Sequence, residues 1–346
     1  MSDRVAQMEK RAEIKNRIQD GLVKYGFIAV TIGLFSWFAL TEETFRQPST
    51  LFSMLKFTSV VAIVGLGVTF TMVVGGLDLS VGSVAGLAVT VSAMMMVIYN
   101  LTGFFSGVMV LVAGAVVGAV NAFLIVWLKI PDLLATLGMM FIVMGLKLLP
   151  VDGQSVSSKM ILRDGSVAPG KFTEGFRAID RAMVGPIPLP VVIWLVLTIL
   201  AWFLLTRTRY GRVMYAVGAN PEAAKLSGIR VEWYRFSAYV ISGLFAATGG
   251  LILASRIGQG DISAGNSLLL DAVAVALVGT SVLGIGKPNA WGTALGALLI
   301  GIVITGLTIK GFPYYAQDVS KGLVLVLALI FSFTLSRKKA RFVPAT

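Results

Sequence analysis

Long apolar runs separated by short polar joints fill most of the chain. They lie near 24–41, 57–75, 82–99, 104–128, 133–149, 189–206, 235–255, 269–285, 290–308 and 321–336, each with few or no charges. A run of about 18–20 apolar residues is the helix length that a hydrocarbon core roughly 30 Å thick requires. The pattern predicts an all-α membrane protein, a polytopic bundle of about ten transmembrane helices forming one domain over 24–336. Residues 1–23 and 337–346 are polar ends. Two joints are longer than the rest. The one over about 150–188 is rich in Gly, Pro, Ser and charges, which predicts irregular, solvated structure: a plain connector or a docking surface for an external partner. The one over about 207–234 is basic.

Composition narrows the solvent. Of 346 residues, 56% are hydrophobic and 13% charged, against roughly 25% charged in an average soluble domain. No cleavable leader is expected, since residues 1–24 carry mixed charge and the first run lacks a small-residue cleavage site. Cysteine and histidine are absent. That excludes disulfides, thiol catalysis, thiolate metal sites and imidazole acid–base chemistry.

Charge sets the orientation. One cluster holds Arg4, Lys10, Arg11, Lys15, Arg17 and Lys24, a second Arg207, Arg209, Arg212, Lys225, Arg230 and Arg235, a third Arg337, Lys338, Lys339 and Arg341. Ten spans put all three on one side, which the excess of Lys and Arg in cytoplasmic loops predicts to be cytoplasmic, both termini included. The net charge of +12 is assigned to this bias. No basic stripe interleaved with exposed aromatics points to nucleic acid. Small residues at helical spacing, Gly114 with Gly118 and Gly292 with Gly296, predict close helix packing within the bundle.

The joint VVGGLDLSVGSVAGLA, 73–88, sets a carboxylate between two apolar runs. An unpaired charge at depth costs several kcal/mol, so Asp78 should not face lipid. Two compatible roles fit. Gly75 and Gly76 can end one helix, and Asp78 can cap the next by accepting from N–H groups near Ser80 and Val81, with Gly82, Ser83, Ala85 and Gly86 keeping that helix slim. Alternatively the broken segment lines a polar route, as half-helix ends do in transporters. Asp271 is a second carboxylate in an apolar run; a helix-start cap, a rim salt bridge or a route-lining position all suit it. Asn121, Thr136 and Thr280 are polar groups at depth, suited to interhelical hydrogen bonds or to lining the route.

The basic joint contains VGANPEAAKLSGI, 217–229. Asn220 suits an N-cap, Pro221 the first helical position, Glu222 the first turn and Gly228 the stop. Ala223, Ala224, Lys225, Leu226 and Ser227 complete two turns, too short a helix to stand alone in water. It needs a surface, either the membrane interface or a partner protein.

GGLDLSVGSVAG at 75–86 and GANPEAAKLSGI at 218–229 resemble the ribose-type sugar permeases, membrane subunits of bacterial ATP-binding-cassette (ABC) importers. So do IPDLLATLGMMFIVMGL at 130–146, LDAVAVALVGTSVLG at 270–284 and WGTALGALLIG at 291–301, all in family order. The resemblance implies a ten-span fold of the cobalamin-importer (type II) kind in the bacterial inner membrane. It implies a pore built with a second copy or paralogue, an ATPase with two nucleotide-binding cassettes, and a periplasmic sugar-binding protein. The helix at 220–227 would be the coupling helix seated in the ATPase. The chain departs from the family at Met144, where a basic residue is usual, and at Leu270, where an acidic one is.

No ATP site is expected in this chain. Around Gly286-Lys287 a phosphate loop would need a hydroxyl residue where Pro288 stands and a glycine where Ser281 stands. ATP and Mg belong to the partner ATPase, and no metal or cofactor is assigned here. Two alternatives remain open: a related ABC permease for nucleosides or branched-chain amino acids, and an ion-coupled secondary transporter titrating Asp78 and Asp271. A membrane enzyme lacks any catalytic constellation.

Overall fold

The computed structural model describes residues 26–280, 282, 286–324 and 326–327. The N-terminal segment 1–23, the end of the eighth run with Ser281, most of the tenth run and the tail 337–346 lie outside the described residues. The chain opens with α1 (Gly26–Thr41), α2 (Glu43–Arg46), α3 (Pro48–Val73), α4 (Val81–Ala93), α5 (Gly103–Val126) and α6 (Asp132–Leu146). A long connecting segment with α7 (Glu174–Arg181) and the two-residue strands β1 (Met183–Val184) and β2 (Ile187–Pro188) follows. Then come α8 (Leu189–Arg207), α9 (Arg209–Ala219), α10 (Pro221–Leu226), α11 (Val231–Ile257), α12 (Leu268–Gly279) and α13 (Ala290–Ile309). Helical turns continue over 314–324.

Among the described residues, 7 helices are long and apolar enough to cross a membrane, and α1 and α12 are apolar but shorter. The chain is an all-α membrane protein. The helices differ from the apolar runs where polar residues join a helix. α3 starts at Pro48 rather than near 57, because Ser49, Ser53 and Lys56 are helical while too polar to extend an apolar run. The Ser53 hydroxyl donates to the Ser49 carbonyl at 2.8 Å, so its polarity is absorbed locally. α11 likewise includes Glu232, Arg235 and Arg256, whose charges sit at its ends. The third run is split: α4 passes into a π-turn at Met94–Ile98.

Two helices occupy the middle. α3 is buried almost continuously from Thr58 to Val73, and α11 packs against α3, α4 and α5. Glycine makes the crossings close, as helix association in lipid requires. Gly114 of α5 lies on Gly243 and Ala247 of α11, Gly118 on Tyr239 and Val240, and Gly292 of α13 on the Gly279 carbonyl.

The connections alternate between two ends of the bundle, as a serpentine path through a membrane requires. At one end, Gly75 abuts Gly218, Thr136 reaches the Leu77 carbonyl, Arg235 pairs with Asp132 and Tyr215 donates to the Pro288 carbonyl. At the other, Lys310 pairs with Glu42 and Val156 bridges Gly260. The Gly170 N–H donates to the Val97 carbonyl at 3.0 Å; a Cβ on Gly170 would overlap the Met96 carbonyl of the π-turn.

The 150–188 segment is more ordered than its composition suggests. Thr173 caps α7 by accepting from the Phe176 N–H, and Phe176 and Asp180 are buried. Asp180 accepts from Lys56 Nζ at 3.1 Å and from Arg256 Nε at 3.0 Å, which ties α7 to the N-terminal part of α3 and the C-terminal end of α11.

Candidate functional site

The site grows from the end of α3. Gly75 takes a left-handed φ of +80°, which costs glycine no Cβ clash. Its N–H donates to the Met72 carbonyl at 3.1 Å and that of Gly76 to the Thr71 carbonyl at 2.9 Å. This bond pair is the Schellman termination, which satisfies carbonyls left free at a helix end. A Cβ on Gly76 would overlap the Tyr239 hydroxyl and come within 2.5 Å of Asp132 Oδ2. Both glycines are therefore set by geometry.

Asp78 then folds back on Ser80. Its Oδ1 accepts from the Ser80 N–H at 2.9 Å and from the Ser80 hydroxyl at 2.6 Å. Oδ2 accepts from Ser242 Oγ at 2.8 Å. Asn121 Nδ2 donates to Ser80 Oγ at 2.8 Å. Asp78 is only 1% exposed, and Ser80, Asn121 and Ser242 are fully buried. Buried polar groups need such partners, since water cannot supply them. The N-cap position of α4 belongs to Ser80, not Asp78. Ser80 has helix-like backbone angles, φ −81° and ψ −9°, so the carboxylate two residues ahead closes a turn on Ser80 rather than on the N–H of Val81. Ser83 Oγ donates to the Ser80 carbonyl at 2.7 Å.

Thr136 joins this cluster. Its hydroxyl lies 3.3 Å from the Leu77 carbonyl and 2.8 Å from the Asp132 carbonyl. Asp132 takes both carboxylate oxygens to Arg235 Nη2, at 2.7 and 2.9 Å. The structure thus brings together Asp78, Ser80, Asn121 and Thr136 with Ser242, Asp132 and Arg235. It does not bring Asp271 or Thr280 into the group. Asp271 is buried and paired with Lys321 at 2.8 Å, and the Thr280 hydroxyl donates to the Leu277 carbonyl of its own helix at 2.7 Å. Gly82 and Gly86 face the segment before α12: Cβ atoms there would meet the Gly265 and Ala264 carbonyls.

The second motif is the 208–230 connection. Asn220 Oδ1 accepts from the Ala223 N–H at 3.0 Å, and Pro221 opens α10. At the other end Gly228, with φ +78°, donates to the Lys225 carbonyl and Ile229 to the Ala224 carbonyl. α10 is closed at both ends by its own residues. Within it only Ala224 is buried, while Leu226 is 91% exposed. Glu222 and Lys225 are exposed beside it. α9 holds α10 to the body. Tyr210 hydrogen-bonds Ser237 and packs its ring against Tyr234 at a tilt of 38°. Tyr215 donates to the Pro288 carbonyl at 2.6 Å, and burial pushes its phenol above the ordinary range.

Ser242, Tyr239 and the Asp132–Arg235 pair escape a reading of the sequence. Arg235 carries a signal, a cation at the start of an apolar run; Ser242 carries none. α7 could be found from Thr173 and Glu174 ahead of Phe176 and Ile179, an N-cap followed by apolar residues at helical spacing.

Comparison with known proteins places these features in context. Residues 50–329 match the family described as branched-chain amino acid transport system / permease component. The ribose import permease of Haemophilus influenzae is 33% identical over 90% of this chain and 94% of its own length. The D-allose transport system permease of Escherichia coli is 32% identical over 91% of this chain and 93% of its own length. The galactose/methyl galactoside import permease of H. influenzae is 31% identical over 94% and 98%, respectively. No solved structure matches the chain significantly.

Proposed function

Because the chain belongs to the sugar-permease family of ABC importers, we propose that it is the membrane-spanning subunit that forms the route for a sugar across a bacterial inner membrane. A periplasmic binding protein delivers the sugar, and a separate ATPase with two nucleotide-binding cassettes drives its passage. The pore pairs this chain with a second copy or a paralogue. Ten spans, the fold of the cobalamin-importer kind and two cytoplasmic termini complete the reading. The nine described apolar helices, with 314–324 opening a tenth, support the count, and the basic 208–230 connection supports the orientation.

The observation that carries this reading is α10. A two-turn helix capped at both ends, with one buried side chain and an exposed Leu226 flanked by Glu222 and Lys225, is a surface made for a protein groove. It is the helix-in-groove mode of recognition. Asp78 is satisfied by Ser80 and Ser242, while the Asn121 amide oxygen and the Tyr239 hydroxyl beside them are buried without a hydrogen-bond partner; with no nucleophile or acid–base pair among these groups, the turn suits a structural break beside the route rather than bond-making chemistry. The separation of Asp78, bound to Ser80 and Ser242, from Asp271, bound to Lys321, gives no support to a carrier in which the two titrate together. A cargo of branched-chain amino acids keeps one argument, the family's own description.

Reconstitution decides between them. The chain, its ATPase and its binding protein in vesicles should take up labelled ribose, allose or galactose only with ATP. Leucine should not enter. Leu226→Asp should lower both binding-protein-stimulated hydrolysis and uptake by about tenfold or more, a loss of about 1.4 kcal/mol or more of docking energy. Uptake on an ion gradient without ATP would refute the proposal.

A further inference from the structure

Both ends of the 75–86 stretch rest on glycine. At one end, a Cβ on Gly218 would overlap the Val73 carbonyl oxygen and come within 3.0 Å of the Gly75 nitrogen, and a Cβ on Gly75 would lie 3.3 Å from the Gly218 carbonyl. Gly218 is the penultimate residue of α9, and α10 begins three residues later. At the other end, a Cβ on Gly265 would come within 2.5 Å of the Gly82 carbonyl and 2.6 Å of the Gly86 nitrogen. Gly265 belongs to the 258–267 segment, which Gly260 bridges to Val156 of the outer loop. Between these contacts the stretch is fastened by Asp78 to Ser242 in the middle of α11 and by Ser80 to Asn121 of α5.

We propose that residues 75–86 act as a strut that carries displacement of the 208–230 connection to the outer 258–267 segment, with Gly75–Gly218 and Gly82/Gly86–Gly265 as its joints. The proposal rests on the transport reading above. At Gly75–Gly218 backbone lies on backbone and no side chain is present to absorb a shift by changing rotamer; at Gly82/Gly86–Gly265 the backbone contact is flanked by Leu269 and by Lys147 Nζ. Close-packed contacts of this kind move between discrete arrangements rather than deforming smoothly. The strut is stiffened by the Schellman bonds before Asp78 and by the Asp78–Ser80 turn. Gly218 and Gly265 are thereby positioning residues: they touch no substrate and act through the strut. The ATPase state at α10 and the outer face are coupled through it.

The chain has no cysteine, so single cysteines report cleanly. Asn266→Cys, exposed on the outer segment, is labelled with a maleimide in the vesicle-reconstituted complex with ATPase and binding protein. ATP should change its labelling rate by about fivefold or more. Adding Gly218→Ala should abolish that change and lower uptake by about tenfold, while ATP hydrolysis stays within about twofold of the parent. Gly33→Ala, with open space around its Cβ, should behave like the parent. An undiminished ATP response in the Gly218→Ala background overturns the proposal, as does parallel loss of hydrolysis and uptake. If Gly218→Ala does not assemble, Leu77→Cys and Asn266→Cys labelled separately in the parent decide. Both must respond over the same range of ATP concentration; a response at one alone overturns the strut. A parent complex with no ATP-driven uptake would instead refute the transport reading.

Discussion

Three donors from two helices' worth of sequence converge on the Asp78 carboxylate, and each has no other use for its proton. Removing the acceptor is therefore worse than removing a donor. Asp78→Leu should strand the Ser80 N–H and the Ser242 hydroxyl in a buried site, costing about 2–4 kcal/mol. Ser242→Ala should cost only about 0.6–1 kcal/mol, the usual worth of one hydrogen bond between helices in a membrane. Apparent melting temperatures of the purified protein rank the two; Asp78→Leu as stable as the parent would contradict the geometry. Half of this environment is legible in the sequence. The serine two residues on is an evident partner for the carboxylate. Ser242 is 164 positions away and looks like any serine in an apolar helix. Asp271 teaches the complementary lesson: a rim salt bridge was one of its open roles, and Lys321 fills it.

α10 shows how much a short element can state about itself. Asn220, Pro221, Glu222 and Gly228 mark its ends in the sequence because capping is local chemistry, and the same residues close it in the structure. Asn220→Ala should loosen it by about 1 kcal/mol, so amide exchange over 221–227 should rise about fivefold in the isolated chain, with α3 and α11 unchanged. Exchange that does not move would mean that the body, not the caps, holds the helix. Elements whose boundaries depend on tertiary contacts are less legible. α3 reaches back to Pro48 through polar residues that packing and ion pairs tolerate; α7 carries a local N-cap at Thr173, but its seating on Lys56 and Arg256, far off in sequence, has no local mark. The π-turn at Met94–Ile98 has no sequence mark that separates it from a plain helix.

At the scale of the molecule, the order of the described apolar helices follows the hydropathy of the sequence, because a hydrocarbon core demands long apolar helices. Which helices become central does not. α3 and α11 are no greasier than α5 or α8, and glycine and serine at their crossings decide their place. Besides the Val156–Gly260 bridge and the packing of Phe172 and Phe176, the 150–188 segment is held to the bundle by one buried carboxylate with two cations. Asp180→Ala should leave Lys56 and Arg256 uncompensated, and cleavage within 150–188 by a protease added from that side should speed up about tenfold. A cleavage rate like the parent's would show that the hydrophobic seat of Phe172 and Phe176 suffices. The seat of Gly170 on the Met94–Ile98 turn has a consequence for engineering. A chimera that borrows its external loop from a homologue must bring a residue without a side chain to that spot, or import the matching third span as well; any other graft would lift the loop from its footing.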